Sequence, residues 1–112
     1  MTRKSALGLS TVETDSDAGW TTVVSASGTL DIATADQFEG EVTAALGNGR
    51  PLLVDVSELA FCDSTGLGAI VRLHRLATTR DQEFRIRDPR PHIADLLAMT
   101  GIDKVIPVVT SR

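Results

Sequence analysis

A small α/β domain with a mixed sheet is predicted by three observations. Two β-branched stretches separated by turn residues open the chain. Strand-like and helix-like patterns then alternate to its end. Each helical pattern is punctuated by a capping residue, a proline or a glycine, and 112 residues suffice for one domain with one core. The predicted order is β-β-α-β-α-β-α-β. That order implies a hairpin followed by a largely parallel sheet, with about three to four helices packed on one face.

Residues 1–7 are expected to be a loose end, with the domain running over 8–112. Leu9–Thr14 and Thr21–Ser27 read as strands, joined by Asp15-Ser16-Asp17-Ala18-Gly19. Thr34 is the candidate N-cap of the first helix, and Gln37 completes a capping-box spacing. Ala35, Phe38, Val42, Ala45 and Leu46 share one face, and Gly47-Asn48-Gly49 ends the helix. Leu52-Leu53-Val54-Asp55-Val56 reads as a strand buried on both faces at the sheet centre. The second helix carries Leu67, Ile70, Val71, His74 and Ala77 on one stripe, which Leu73 and Leu76 widen. Gly68 at its start is expected to let it pack close to the sheet. Phe84-Arg85-Ile86-Arg87 alternates as a half-buried strand near an edge. Asp88-Pro89-Arg90-Pro91 then breaks the chain and starts a helix with Ile93, Leu96, Leu97 and Thr100 on one face, stopped by Gly101. Val105–Val109 reads as a last strand, and Pro107 argues for an edge.

Composition excludes several classes of function. No stretch approaches the roughly 20 apolar residues needed to span a membrane. Arg3 and Lys4 are followed by no long apolar segment, so no secretory leader is expected. The single Cys62 cannot form an internal disulfide, and its apolar surroundings suit a small buried hydrophobe better than a reactive thiol. Charge is uneven. Residues 13–63 hold ten acidic side chains against Arg50, whereas residues 64–92 hold six arginines against three acids. Most of these side chains are solvated faces. The functional alternative is a carboxylate-rich docking face around Asp31 and Asp63 that steers a basic partner. Scarce aromatics and an acidic balance argue against nucleic acid.

Catalytic chemistry is also missing. The histidines, His74 and His92, stand in no triad order with a serine, and Gly-x-Ser-x-Gly is absent. No His/Cys cluster has metal-ligand spacing, and no Gly-x-x-x-x-Gly-Lys loop offers a nucleotide site. Neither an enzyme nor a cofactor is expected. A phospho-aspartate receiver has similar length and alternation, but no acidic pair follows the first strand and Asp55 sits inside its apolar run.

The most informative residues are Asp63-Ser64-Thr65-Gly66-Leu67-Gly68, which lie between the apolar Leu59-Ala60-Phe61-Cys62 and the second helix. Backbone N–H groups at a helix start carry partial positive charge, so a phosphate on Ser64 or Thr65 is stabilised there. It also adds nearly two negative charges. The other reading is purely local: Ser and Thr are favoured N-caps in any helix.

Phe61-Cys62-Asp63-Ser64-Thr65-Gly66-Leu67-Gly68-Ala69-Ile70 resembles the signature of STAS domains, in the branch of anti-sigma factor antagonists. Gly28-Thr29-Leu30-Asp31 with Thr34-Ala35 resembles that family's loop between its early hairpin and first helix. Pro91-His92-Ile93-Ala94-Asp95-Leu96-Leu97 with Thr100-Gly101-Ile102 resembles its late helix and the following turn. The resemblance implies a cytoplasmic, protein-binding switch in transcription regulation. Ser64 is then the residue phosphorylated by a partner kinase that is itself the anti-sigma factor, and a phosphatase restores it. The unphosphorylated antagonist captures the anti-sigma factor and frees the sigma factor. Asp31, Asp63, Ser64, Thr65, Gly66 and Leu67 form the implied partner surface, with apolar contact from Leu67. Thr65 replaces a serine common in the family, and is a contact, a minor acceptor or neither. The alternative job for the same fold is a scaffold or ligand-sensing module of a larger signalling assembly.

Overall fold

The computed structural model describes residues 6–16 and 19–111. Its elements in chain order are β1 (Leu7–Ser16), β2 (Gly19–Leu30), α1 (Ala35–Leu46), β3 (Leu52–Cys62), α2 (Ser64–Thr79), β4 (Phe84–Arg87), α3 (Pro91–Met99), a 3-10 turn at Ile102–Lys104, and β5 (Val108–Val109). The expected order of strands and helices holds. One sheet contains all five strands in sequence order. β1 and β2 are antiparallel, and every other pair is parallel. Asp17 and Ala18 of the expected turn, and residues 1–5 of the expected loose end, lie outside the described residues. Leu7, assigned to that loose end, instead starts β1 and is buried.

The helices cover one face of the sheet. Val24, Leu30, Leu52, Val54, Leu59 and Ile86 pack there with Phe38 and Val42 of α1, Ile70 and Leu73 of α2, and Leu97 of α3. The alternate residues Ser10, Ser25, Leu53, Asp55 and Arg85 are half-buried or exposed. β3 is therefore central, as expected, but buried on one face and not on both. Its consecutive leucines and valine misled because Leu53 belongs to the open face. The third helix face is narrower than expected: Ile93 and Leu97 are buried, Leu96 partly so, and Thr100 is exposed. The last strand shrinks to two residues at the sheet edge, beside β4.

On the open face Arg87 donates to Asp55 Oδ2 through Nε at 2.8 Å, with Nη2 at 2.7 Å, and Ser57 donates to Oδ1 through N at 2.9 Å and Oγ at 2.6 Å. Burial pushes the Asp55 carboxyl up, but the bonds from Ser57 and Arg87 outweigh it and hold the carboxyl below its ordinary value. The unfolded chain then binds this proton more readily than the folded one. The stabilisation is complete above the unfolded carboxylate value of about 4 and is lost as pH falls through the lower folded value. Urea midpoints should drop as pH falls below about 4, and Asp55→Asn should make that drop shallower.

Two irregularities in the β2–β3 ladder, between Ser25 and Ser27 and between Gly28 and Thr29, bring the ends of these strands into line. Gly28 sits at the second with φ +88°, where a Cβ would lie 2.3 Å from the Ala6 carbonyl oxygen. Gly28-Thr29-Leu30, expected in a loop, thus remains strand.

Candidate functional site

The site is built where β2 and β3 end side by side. Leu30 pairs with Cys62, and the Asp63 N–H donates to Leu30 O at 3.2 Å. The next residue on each chain segment is an aspartate, and each segment turns into a helix. Asp31 and Asp63 are thereby brought to one end of the sheet with Ser64 and Thr65.

α2 starts at Ser64, earlier than the apolar pattern indicated, and its N-cap is Asp63. Asp63 Oδ1 accepts from Gly66 N at 3.0 Å and Asp63 O accepts from Leu67 N at 2.9 Å. Such a cap contributes about 1 kcal/mol. The capping role offered for Ser64 or Thr65 therefore belongs to their neighbour. Ser64 is exposed, and its hydroxyl makes no hydrogen bond among the described residues. The backbone N–H groups of Ser64 and Thr65 likewise have no partner among them, so two donors and the helix dipole remain for an anion on Ser64. Thr65 is half-buried.

Two residues of the expected partner surface lie inside the protein. Leu67 is only 6% exposed and belongs to the core, so the apolar contact expected from it is not offered to a partner. Gly66 is buried against β2. A Cβ there would lie 2.7 Å from Leu30 O, 2.8 Å from Leu30 Cγ and 2.9 Å from Cys62 Sγ. It, and not Gly68, is the glycine that lets α2 approach the sheet, since a Cβ on Gly68 would meet only Arg72 Nη1 at 3.3 Å.

Asp31 is half-buried and shapes its own loop. Its Oδ1 accepts from Ala33 N at 3.0 Å and lies 3.3 Å from Thr34 Oγ1. Thr34 Oγ1 accepts from Asp31 N at 2.9 Å and donates to Thr29 O at 2.9 Å. The expected capping box does not form: Thr34 makes no side-chain cap bond, and Gln37 Nε2 donates to Leu7 O at 3.4 Å. Thr34 is spent on locking the loop, which holds Ile32 out in solvent at 79% exposure. Phe61, opposite Thr29 on β3, is 50% exposed. Sequence reasoning did not single out this apolar pair. The available signal was an isoleucine stranded between turn residues and outside every helical stripe.

Cys62 is buried directly below the α2 start. Burial, and then the charge of Asp63, push its thiol up to about 12. Almost no thiolate forms near neutrality. Native protein at pH 8 should resist a thiol-labelling disulfide reagent, with labelling appearing only across the unfolding transition. Fast labelling of the native state would contradict the burial. Neither histidine bonds to Ser64. His74 packs edge-on against Phe84 at 5.8 Å, and His92 Nε2 lies 2.7 Å from Ala60 O.

Residues 14–110 match the family model described as Mlab, STAS domain. The chain belongs to the STAS domain family. Within it the chain is similar to anti-sigma factor antagonists. It is 30% identical to the anti-sigma F factor antagonist of Paenibacillus polymyxa over 77% of this chain and 75% of that protein. The crystal structure of an anti-sigma factor antagonist from Mycobacterium paratuberculosis matches with a TM-score of 0.74 at 26% identity, covering 91% of this chain and 86% of that one. The anti-sigma factor antagonist SpoIIAA, at 20% identity, shares the fold in its unphosphorylated form (TM-score 0.71, 95% of this chain and 90% of that one) and its phosphorylated form (TM-score 0.66, 95% and 93%). Among the described residues no helix is long and apolar enough to cross a membrane.

Proposed function

We propose that this STAS domain is an anti-sigma factor antagonist that works in the cytoplasm by partner switching at Ser64. It acts by binding and not by catalysis. With Ser64 free, the domain holds an anti-sigma factor and leaves the sigma factor active. The anti-sigma factor is also the serine kinase that phosphorylates Ser64, and a phosphatase reverses the step. Thr65, half-buried and one residue deeper into the helix, is the poorer acceptor.

The observation that carries this reading is the division of labour at the α2 start. Asp63 supplies the cap, so the exposed Ser64 hydroxyl is not consumed by the fold. A phosphate on it gains the unpartnered N–H groups of the first turn and breaks no bond. The relatives at 30% and 26% identity, both anti-sigma factor antagonists, support the same reading.

Intact mass spectrometry with peptide mapping on protein isolated from its native cells tests it. A species heavier by one phosphate, mapped to Ser64, is expected. Phosphate on Thr65 would keep the switch and move the site. No phosphate under growth, starvation and stress alike would overturn the switch and favour a scaffold or ligand-sensing role.

A further inference from the structure

Among the described residues six large apolar side chains are strongly exposed: Val12, Trp20, Ile32, Phe61, Met99 and Val105. Single exposed hydrophobics are ordinary. Trp20 already has the Arg50 guanidinium over its ring at 5.5 Å, and Met99 and Val105 lie near the α3 end. Ile32 and Phe61 are different in their placement. They sit on neighbouring chain segments at the sheet end that carries Ser64: Ile32 is two residues past Leu30, Phe61 one residue before Cys62, and Leu30 pairs with Cys62. Adjacent strands run about 4.8 Å apart, so one partner surface can cover both.

The loop that presents Ile32 is also fixed in advance. Asp31 and Thr34 hold it through bonds to Ala33 N, Asp31 N and Thr29 O, so docking orders little that was mobile. The surrounding charge is mainly acidic, although the Arg72 cation, bonded to Glu39, also feels the charge of Asp36. Asp31 and Asp63 have no cationic partner among the described residues, and Asp36 is exposed in the first turn of α1. Elsewhere the carboxylates of Glu13, Glu39, Asp55 and Glu58 are matched by arginines.

We infer that Ile32 and Phe61 are the apolar anchors by which the domain holds its anti-sigma factor, and that the receiving surface is an apolar pocket rimmed by arginine or lysine. This inference rests on the Ser64 reading and deepens it. The buried Leu67 cannot supply the contact, whereas truncating a desolvated anchor of this size costs about tenfold or more in affinity. The basic rim would steer encounter with the acidic end and make binding sensitive to salt.

The test uses the full chain and the anti-sigma kinase from the same genome that phosphorylates Ser64 in vitro, with affinity measured by calorimetric titration without ATP. Ile32→Ser and Phe61→Thr are expected to raise Kd about tenfold or more each. Met99→Ser, an equally apolar but distant change, should leave it within about twofold. Raising salt from about 0.05 to 0.5 M should weaken the parent severalfold. Far-ultraviolet circular dichroism confirms folding, and Ile32→Ser, in an exposed loop, remains decisive if Phe61→Thr unfolds. Unchanged affinity in Ile32→Ser, with the parent binding normally, would overturn the anchors and leave the Ser64 reading standing. If the parent binds none of the genome's anti-sigma kinases, the Ser64 reading fails and the anchors fail with it.

Discussion

Ser64→Asp should lower affinity for the anti-sigma factor by about two to three powers of ten while leaving the domain as stable as the parent. The two halves of that expectation have separate physical causes. In the proposed complex the new charge is placed beside Asp63 within the covered apolar contact, out of reach of the basic rim and away from water. An uncompensated charge in a desolvated interface costs several kcal/mol, and each 1.4 kcal/mol is about a factor of ten. In the free domain the same charge sits at the first position of α2, against two unpartnered N–H groups. A carboxylate there stabilises a helix by about 0.3–1 kcal/mol. Ser64→Ala should bind like the parent and accept no phosphate, since the hydroxyl has no bond to lose among the described residues. Titration calorimetry and thermal melts on the three proteins measure both halves. Equal binding by Ser64→Asp and the parent would sink the electrostatic account. Unfolding of Ser64→Ala would mean that the hydroxyl has a structural task.

The order of elements was legible because each helix announces its limits chemically. Thr34, Pro91 and Gly101 mark ends, and the stripes through Phe38 and Val42 or Ile70 and Leu73 repeat at helical spacing. The position of Ser64 was legible for the same reason. The division of roles among its neighbours was not. Ser and Asp are both good caps, and adjacent candidates can be told apart only by which oxygen reaches the N–H of Gly66. Burial along β3 was also hidden. Its buried residues alternate through Leu52, Val54 and Val56, then jump by three to Leu59 and Cys62, because the ladder to β2 shifts register twice. That jump leaves Phe61 in solvent, whereas its apolar flanks read as core. Leu67 carried two readings, one on the apolar stripe of the second helix and one on the partner surface; at the start of α2 it faces the core, so the stripe is the reading that holds.

Gly66→Ala should destabilise the domain by about 1–3 kcal/mol, whereas Gly68→Ala, two residues on, should stabilise it by up to about 1 kcal/mol. In an open helix both changes favour folding, because alanine loses less backbone entropy. Space decides the sign. At Gly68 the new methyl meets only Arg72 Nη1 at 3.3 Å, the far end of an exposed and flexible side chain. At Gly66 it meets Leu30 O at 2.7 Å and Leu30 Cγ at 2.8 Å. Leu30 is fully buried, and its carbonyl is fixed by the Asp63 N–H, so the strand cannot yield. Cys62→Ala on top of Gly66→Ala should recover only part of the loss, since it clears Sγ and neither Leu30 atom. Urea unfolding of the four proteins checks the ordering, and equal stability of the two glycine variants would contradict the packing. What must move in Gly66→Ala is the first turn of α2, which carries Ser64. Its rate of phosphorylation should therefore fall even where the domain is fully folded, while Gly68→Ala keeps the parent's rate. The same close contact that joins α2 to the sheet thus sets where the Ser64 hydroxyl stands.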